Sequence, residues 1–569
     1  MTACRLSASP AWISAALIVA ISLTACGGGG GGGSDDGPSV PVTVSGKVTF
    51  TRIGFSPVRG DGLSPGTASQ VPARLVTVEA LDGSVANGAV LASTTTDEQG
   101  QYSLEVPGRR KVKIRAKAQM VKSGAAPSWN FSVHNNTNGD ALYAIDGESF
   151  DSGTSNSTRD LNAASGWSGT SYAGQRAAAP FAILDTIYTA RTLILSSVGA
   201  TVFPELKLYW SSSNKPTKGL FCTTSGDLGT TFYASGGDNA DNCVSGGALA
   251  AGIYILGDFA GGNGDTDEFD QHVIAHEFGH YVEDSFSRSD SVGGDHGDDG
   301  RLDPRVAFSE GWGDAYSGMV LNDPVYRDSY QGVSTDGGFN LETVVPNPSE
   351  GTPGWFTEMS VASALWDFFD TPADAADTVA LGFPPLYAVM TGAQKSTEAM
   401  TTIFSFAAAL RAQNAGQAAG IDTILNSRSI FGSDAYATGE TNAGGSLTAL
   451  PVYTDINAGQ PVNVCGSGTD TARNKLGYRR FLRLTLTAPT TLTITAQGAA
   501  NPGTTGSVAA LDPDIYVYRR GAVEQVGDST GGTETIGQQS YEAGVHIIEV
   551  YDYQLGPEPH CMTVSITGA

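Results

Sequence analysis

The chain has 569 residues, more than one hydrophobic core usually supports, so several domains are expected. Its 40% hydrophobic and 9% aromatic content is globular and argues against wholesale disorder, while 73 glycines point to many turns and long loops. A formal charge of −26 repels nucleic acid, whose recognition rests on clustered Lys and Arg, so a DNA or RNA role is discounted.

The first element reads as an export signal. Arg5 gives a basic start, 11–23 is an apolar run too short to cross a bilayer as a helix, and small residues follow. The run ends Leu23-Thr24-Ala25-Cys26, which resembles the bacterial lipobox. That resemblance implies a lipoprotein signal over 1–26, lipidation of Cys26, and an exported protein anchored to a membrane, whether outer membrane, periplasmic or cell surface. Ordinary signal cleavage is the alternative. Gly27 to Gly33 with Ser34 then open a Gly-rich tether over 27–43. Cys4 and Cys26 belong to the signal region. The other four cysteines pair by proximity as Cys222 with Cys243 and Cys465 with Cys561, as suits an oxidising compartment. Loops of these lengths stabilise by about 3 to 5 kcal/mol if unstrained.

Residues 44–118 alternate in strand fashion, with Val48 and Phe50, then Val76, Val78 and Ala80 set against Leu75, Thr77 and Glu79. Pro72-Ala73-Arg74-Leu75-Val76-Thr77-Val78, followed by Thr95-Thr96-Asp97-Glu98-Gln99-Gly100-Gln101-Tyr102-Ser103-Leu104, resembles the transthyretin-like β-sandwich of carboxypeptidase regulatory domains. That resemblance implies a spacer or binding module. The polar, Gly-rich stretch 119–171 is assigned no element beyond short strand-like pieces.

From Tyr172 the period changes. Phe181, Leu184, Ile187, Tyr188 and Arg191 recur at helical spacing, with Pro180 near the start where proline is tolerated. Strands at 205–210 and 252–258 precede helices around His276, Glu310, Trp366 and Leu410, the order of an α+β domain over 172–449. From 450 to 569 the pattern is β again: Leu482, Leu484 and Leu486, then Leu492, Ile494 and Ala496, alternate with polar residues. Asp512-Pro513-Asp514-Ile515-Tyr516-Val517-Tyr518 and Ala543-Gly544-Val545-His546-Ile547-Ile548-Glu549-Val550 resemble the pre-peptidase C-terminal β-sandwich of secreted bacterial peptidases.

The chemistry lies in His276-Glu277-Phe278-Gly279-His280. Asp265-Thr266-Asp267-Glu268 ahead of it are expected to cap the helix and fill its acidic first turn. Residues four apart share one helix face, so both imidazoles can reach one Zn²⁺ while Glu277 stands beside it as proton acceptor. The bland alternative is two His and a Glu on a solvated face. His272, one turn earlier, is expected to be a polar neighbour, because a fourth protein ligand would close the position water needs. Glu283 and Phe286 stand where a metzincin carries Gly and His, so that class is rejected. Ala307-Phe308-Ser309-Glu310-Gly311-Trp312-Gly313-Asp314 instead resembles the Glu-x-x-x-Asp helix of thermolysin-like gluzincins. The resemblance implies Glu310 as third ligand and Asp314 as support for a ligand histidine.

The fold class expected is therefore multidomain, an α+β zincin catalytic domain flanked by two all-β sandwich domains. The activity expected is metal-assisted hydrolysis of peptide bonds, by an endopeptidase, with Glu277 as base. The gluzincin oxyanion residues have no direct counterpart, so His296, Tyr316 and Tyr330 are candidates, His296 foremost. Extended substrate would add to the strand 252–258. Asp290, Asp295, His296, Asp298, Asp299 and Asp303, between the motifs, form a cluster able to hold Ca²⁺, the alternative being a solvated acidic loop. A second function is a cell-surface adhesin or binding lipoprotein with an inactive metal domain, and a third is a zinc hydrolase acting on something other than peptides. Glu277 speaks against the adhesin, since a pure binding protein has no reason to place a base beside its metal.

Overall fold

A computed structural model describes residues 40–169, 171–217, 221–237, 241–244, 247–259, 264–297, 300–331, 333–343, 353–371, 377–467, 473–499, 511–554 and 559–568. Cys26 and the tether up to residue 39 lie outside them.

The N-terminal half is built from strands β1 (Pro41–Phe55), β2 (Leu63–Pro72), β3 (Val76–Asp82), β4 (Val90–Thr95), β5 (Gln101–Pro107), β6 (Lys111–Lys122) and β7 (Trp129–Asn135). β1 begins inside the stretch expected as tether, pairing Pro41 with Pro107 and burying Val42. It takes β2 and β5 as antiparallel partners and the short strands Ser157–Thr158 and Leu161–Ala163 as parallel ones. β6 shows why such a sequence makes a sheet. Val112, Ile114, Ala116, Ala118 and Met120 are buried, and Lys111, Lys113, Arg115 and Lys117 alternate with them on the wetter face.

The expected boundary at 118 is not a boundary in the structure, because β6 runs across it. Beyond it β7 pairs in parallel with Leu206–Trp210, which pairs in parallel with Gly252–Ile255. One sheet therefore runs from β4 through β3, β6 and β7 into the strands of the expected catalytic domain. Residues 119–171 supply β7 and the short partners of β1 and β6, so they are part of the folded sheets and not only a connector. Phe50, Ile114 and Phe131 share one hydrophobic core with Leu208, Ile253 and Phe278.

Helices α1 (Ala179–Ser197) and α2 (Gln271–Phe286) pack on this sheet, and α3 (Pro304–Leu321) and α4 (Glu358–Phe369) pack beyond them, with α2 lying along α3 and α3 along α4. The C-terminal region is a two-sheet sandwich with its own core, in which Leu482, Leu484, Ile494 and Ala496 point inward as their alternation predicts. Both disulfides form as paired by proximity, Cys222 with Cys243 and Cys465 with Cys561. The second bridge joins directly opposed residues of neighbouring strands, Val462–Gly466 and the last strand, His560–Gly568.

Candidate metal centre

α2 starts at Gln271, later than the sequence suggests. Asp267–Phe269 forms a separate 3₁₀ turn, and Asp270 at the helix N-cap makes no side-chain cap. The carboxylate of Asp270 accepts instead from the backbone and hydroxyl of Ser329, both at 2.7 Å. The acidic run is thus drawn away from the helix start, which corrects the capping expectation. α3 does carry a side-chain cap, Asp303 accepting from the Arg305 backbone at 3.0 Å, with Pro304 in its first turn.

α2 and α3 approach closely enough that an ideal Cβ on Gly279 would lie 3.2 Å from the Cα of Gly313. Across this seam three ligand-type atoms converge. His276 Nε2 lies 3.1 Å from His280 Nε2 and 3.3 Å from Glu310 Oε2, and His280 Nε2 lies 3.2 Å from the same oxygen. Bonds of about 2.0–2.1 Å in a tetrahedron place neighbouring donors about 3.3 Å apart, so the set has the edge lengths of a zinc site. His276 Nδ1 donates to Asp314 Oδ1 at 2.9 Å, which leaves the Nε2 lone pair facing the centre. His280 Nδ1 faces Ser309 Oγ at 3.4 Å, and that hydroxyl donates to Glu283 at 2.6 Å.

The electrostatics follow from two buried groups and the half-buried His280 sharing one point. Burial alone would lower His280, but the Glu310 charge and the Glu283 bond outweigh it and raise the imidazole to about 10. Burial would raise Glu310, yet the His280 and His276 rings hold it well below the usual carboxylate range. The cluster therefore holds cationic charge tightly, and a metal must compete there with protons. Glu277 is raised by burial, against the pull of both imidazoles, and accepts the Tyr233 backbone N–H.

His296 comes to the rim of this cluster. Its Nε2 is 3.4 Å from Glu310 Oε2, its Nδ1 donates to Glu358 at 3.0 Å, and its side chain is 39% exposed. Burial raises Glu358 to about 7 against the His296 bond. Tyr316 is a correction: it is wholly buried, its hydroxyl donating to Ala190 and its ring stacked on Phe278, so it cannot meet substrate. Tyr330 pairs with Asp265 on the short strand Asp328–Tyr330. His272 is hydrogen-bonded to Ser317 at 3.0 Å and stands outside the converging group.

The strand expected to receive substrate is also corrected. Gly252–Ile255 is flanked on both sides, and the edge beyond it is Phe232–Ala234, whose Tyr233 touches Glu277. Of the loop carboxylates read as able to hold calcium, Asp290 and Asp303 are taken by other partners. Asp290 is engaged by Arg288 and the Thr401 backbone, Asp303 by Arg305, and Asp298 and Asp299 lie outside the described residues. Instead Asp265, Asp267 and Asp328 gather with donor oxygens within 4.8 Å of one another. One oxygen each of Asp267, Asp270 and Asp328 is buried without a hydrogen-bond partner. Burial raises all four, and repulsion from neighbouring carboxylates adds to it at Asp267, Asp270 and Asp328, the last raised to about 7, whereas a hydrogen bond with Asp267 works against it at Asp265.

Sequence reasoning missed Glu358, Ser309, Glu283 and Tyr233. Glu358 opens the apolar helix read around Trp366, and that was its only signal.

Residues 263–427 match the family model of the Mycolysin C-terminal domain. The segment holds α2, α3 and α4, so the converging residues all lie in a stretch similar to a metallopeptidase family, with a β-sandwich following it. No curated protein matches the chain. Among solved structures, the pre-peptidase C-terminal domain of a Bacillus anthracis collagenase is 9% identical over 20% of this chain and 94% of its own, with a TM-score of 0.16. A 9R-lipoxygenase from Cyanothece is 12% identical over 21% of this chain and 16% of its own, with a TM-score of 0.13. Neither likeness is close enough to carry a fold assignment.

Proposed function

We propose that the chain is a zinc-dependent peptidase of the gluzincin type, hydrolysing peptide bonds outside the cytoplasm. The observation that carries this is the convergence of His276, His280 and Glu310 at 3.1–3.3 Å with Glu277 beside them. Two imidazole nitrogens and one carboxylate suit zinc and leave a fourth position open. Zinc bound there supplies Lewis acidity, lowering the pKa of its water to about 7. Asp314 fixes the tautomer of His276 through Nδ1. Glu277, raised by burial, is suited to take a proton from water and return it to the leaving amine. His296, oriented by Glu358 and partly exposed beside Glu310, would supply a donor for the charge that develops on the carbonyl oxygen. An extended peptide along Phe232–Ala234 would lie beside Glu277.

Two further parts belong to the same proposal. The acidic cluster of Asp265, Asp267 and Asp328 would hold a calcium ion, since converging hard oxygen donors, with orphaned oxygens on Asp267 and Asp328, are what that ion requires. The lipobox would place the protein on a membrane through Cys26.

The test is Glu277→Gln in zinc-loaded protein against a broad peptide library, with and without chelator. Zinc content is expected to hold while hydrolysis falls by about 10²- to 10⁴-fold. Unchanged turnover would remove Glu277 as base. A wild type that binds zinc but cleaves nothing would favour the adhesin.

A further inference from the structure

The loop that carries His296 leaves α2 at Ser287 and enters α3 at Pro304. Its sequence, Gly293-Gly294-Asp295-His296-Gly297, has no intrinsic reason to hold one conformation. The structure holds it from outside. Arg288 donates to the carbonyls of Thr397 at 2.8 Å and Ala399 at 2.7 Å, and the Leu302 N–H donates to Phe356 at 2.8 Å. The middle is gripped from the C-terminal region. Asn474, 5% exposed, donates through Nδ2 to Gly293 O at 2.9 Å and to Asp295 O at 3.0 Å. Lys475 Nζ adds a bond to Asp295 O at 2.9 Å, and the Asn474 carbonyl accepts from the Asp303 N–H at 2.8 Å. Carbonyls only accept, so both side-chain bonds demand the NH₂ end of the amide, which fixes the orientation of Asn474. Gly294 has φ +95°, and an ideal Cβ there would meet Asn474 Nδ2 at 2.9 Å, so loop and amide are closely fitted.

A second tie reaches the neighbouring ligand helix. Glu549, fully buried in the sandwich, accepts from Arg305 at 2.7 Å and from Arg479. Arg305 lies in the first turn of α3, five residues ahead of Glu310.

We infer that Asn474 is a positioning residue of the metal centre, holding 293–295 so that His296 keeps its place between Glu310 and Glu358. The C-terminal sandwich is then part of the catalytic apparatus and not a detachable module. The activity arm of the test rests on the proposed peptidase function, and the exchange arm does not.

The experiment uses full-length, zinc-loaded protein carrying Asn474→Ala or Asn474→Leu, the second preserving side-chain volume should the first melt early. Hydrogen exchange across 291–297 is expected to speed up about 10-fold or more while α2 and α3 stay protected and zinc content holds. The kcat on a cleaved peptide should fall about 10-fold with KM little changed. Because Asn474 acts through His296, adding Asn474→Ala to His296→Ala should cost nothing further. Exchange at 291–297 equal to wild type would overturn the inference, as would losses that multiply in the double variant. If wild type cleaves no peptide, the proposed function falls while the exchange result still decides the role of Asn474.

Discussion

Gly313 sits in the middle of α3, where glycine is a poor helix former, and the structure supplies a reason. An ideal Cβ there would lie 2.8 Å from Cε1 and Nε2 of His276 and 2.9 Å from Nδ1, directly over the ring face. Ordinary contact begins near 3.4 Å, so Gly313→Ala forces the imidazole back by about 0.6 Å or more. The ring has no free direction, because Nδ1 is tied to Asp314 on the same helix and Nε2 faces Glu310 and His280. Disturbing the support of a ligand histidine typically costs about 10- to 100-fold in metal affinity, and that is the loss expected here. The fold should survive. Alanine favours the helix by about 1 kcal/mol over glycine, against overpacking strain of about 1–3 kcal/mol, leaving a net destabilisation of about 0–2 kcal/mol. Zinc per chain, measured by mass spectrometry after dialysis against graded chelator buffers, reads the affinity, and thermal melting of the metal-free protein reads the fold. Gly392→Ala is the control, since nothing lies within 4 Å of a Cβ added there. Zinc affinity equal to wild type in Gly313→Ala would refute the packing logic and the placement of His276 as ligand.

Glu310→Ala should lose most zinc, whereas His296→Ala should keep zinc and lose only part of its rate; mass spectrometry after dialysis showing the reverse would exchange their roles. Calcium should raise the melting temperature of zinc-loaded wild type, and Asp267→Asn with Asp328→Asn should abolish that increment with zinc content unchanged. His272 is buried and neutral, lowered by burial to about 4, so the folded state binds fewer protons than the unfolded state between pH 6.5 and 4. Stability is therefore lost as pH falls through that window, and denaturant melts should show wild type losing about 3 kcal/mol more than His272→Gln across it. Cys26→Ser should stop incorporation of labelled fatty acid and release the protein from membranes, and label retained by the variant would remove the anchor.

What could be read from the sequence was local, and what could not was long-range. His276 and His280 are one turn apart on one helix, and Glu310 and Asp314 one turn apart on the next, so their shared faces follow from helical period alone. The alternation of Leu482 to Leu486 gave the C-terminal sheet the same way. β7 reads as an isolated polar strand, because its partner Leu206–Trp210 lies more than seventy residues on and a parallel pairing leaves no turn signature between the two. That single pairing fuses the expected regulatory-like module with the sheet of the expected catalytic domain. The acidic run 265–270 looked like a helix start because such residues favour helix N-termini, and only the return of Asp328 and Ser329 shows that tertiary contacts outcompete the cap. His296 is the sharpest case. Its loop is Gly-rich, so sequence alone leaves it without geometry, yet Glu358 and Asn474, 62 and about 180 residues away, give it one. A site whose ligands are helical can be found by spacing, but the group completing it is placed by side chains that only the folded chain brings near.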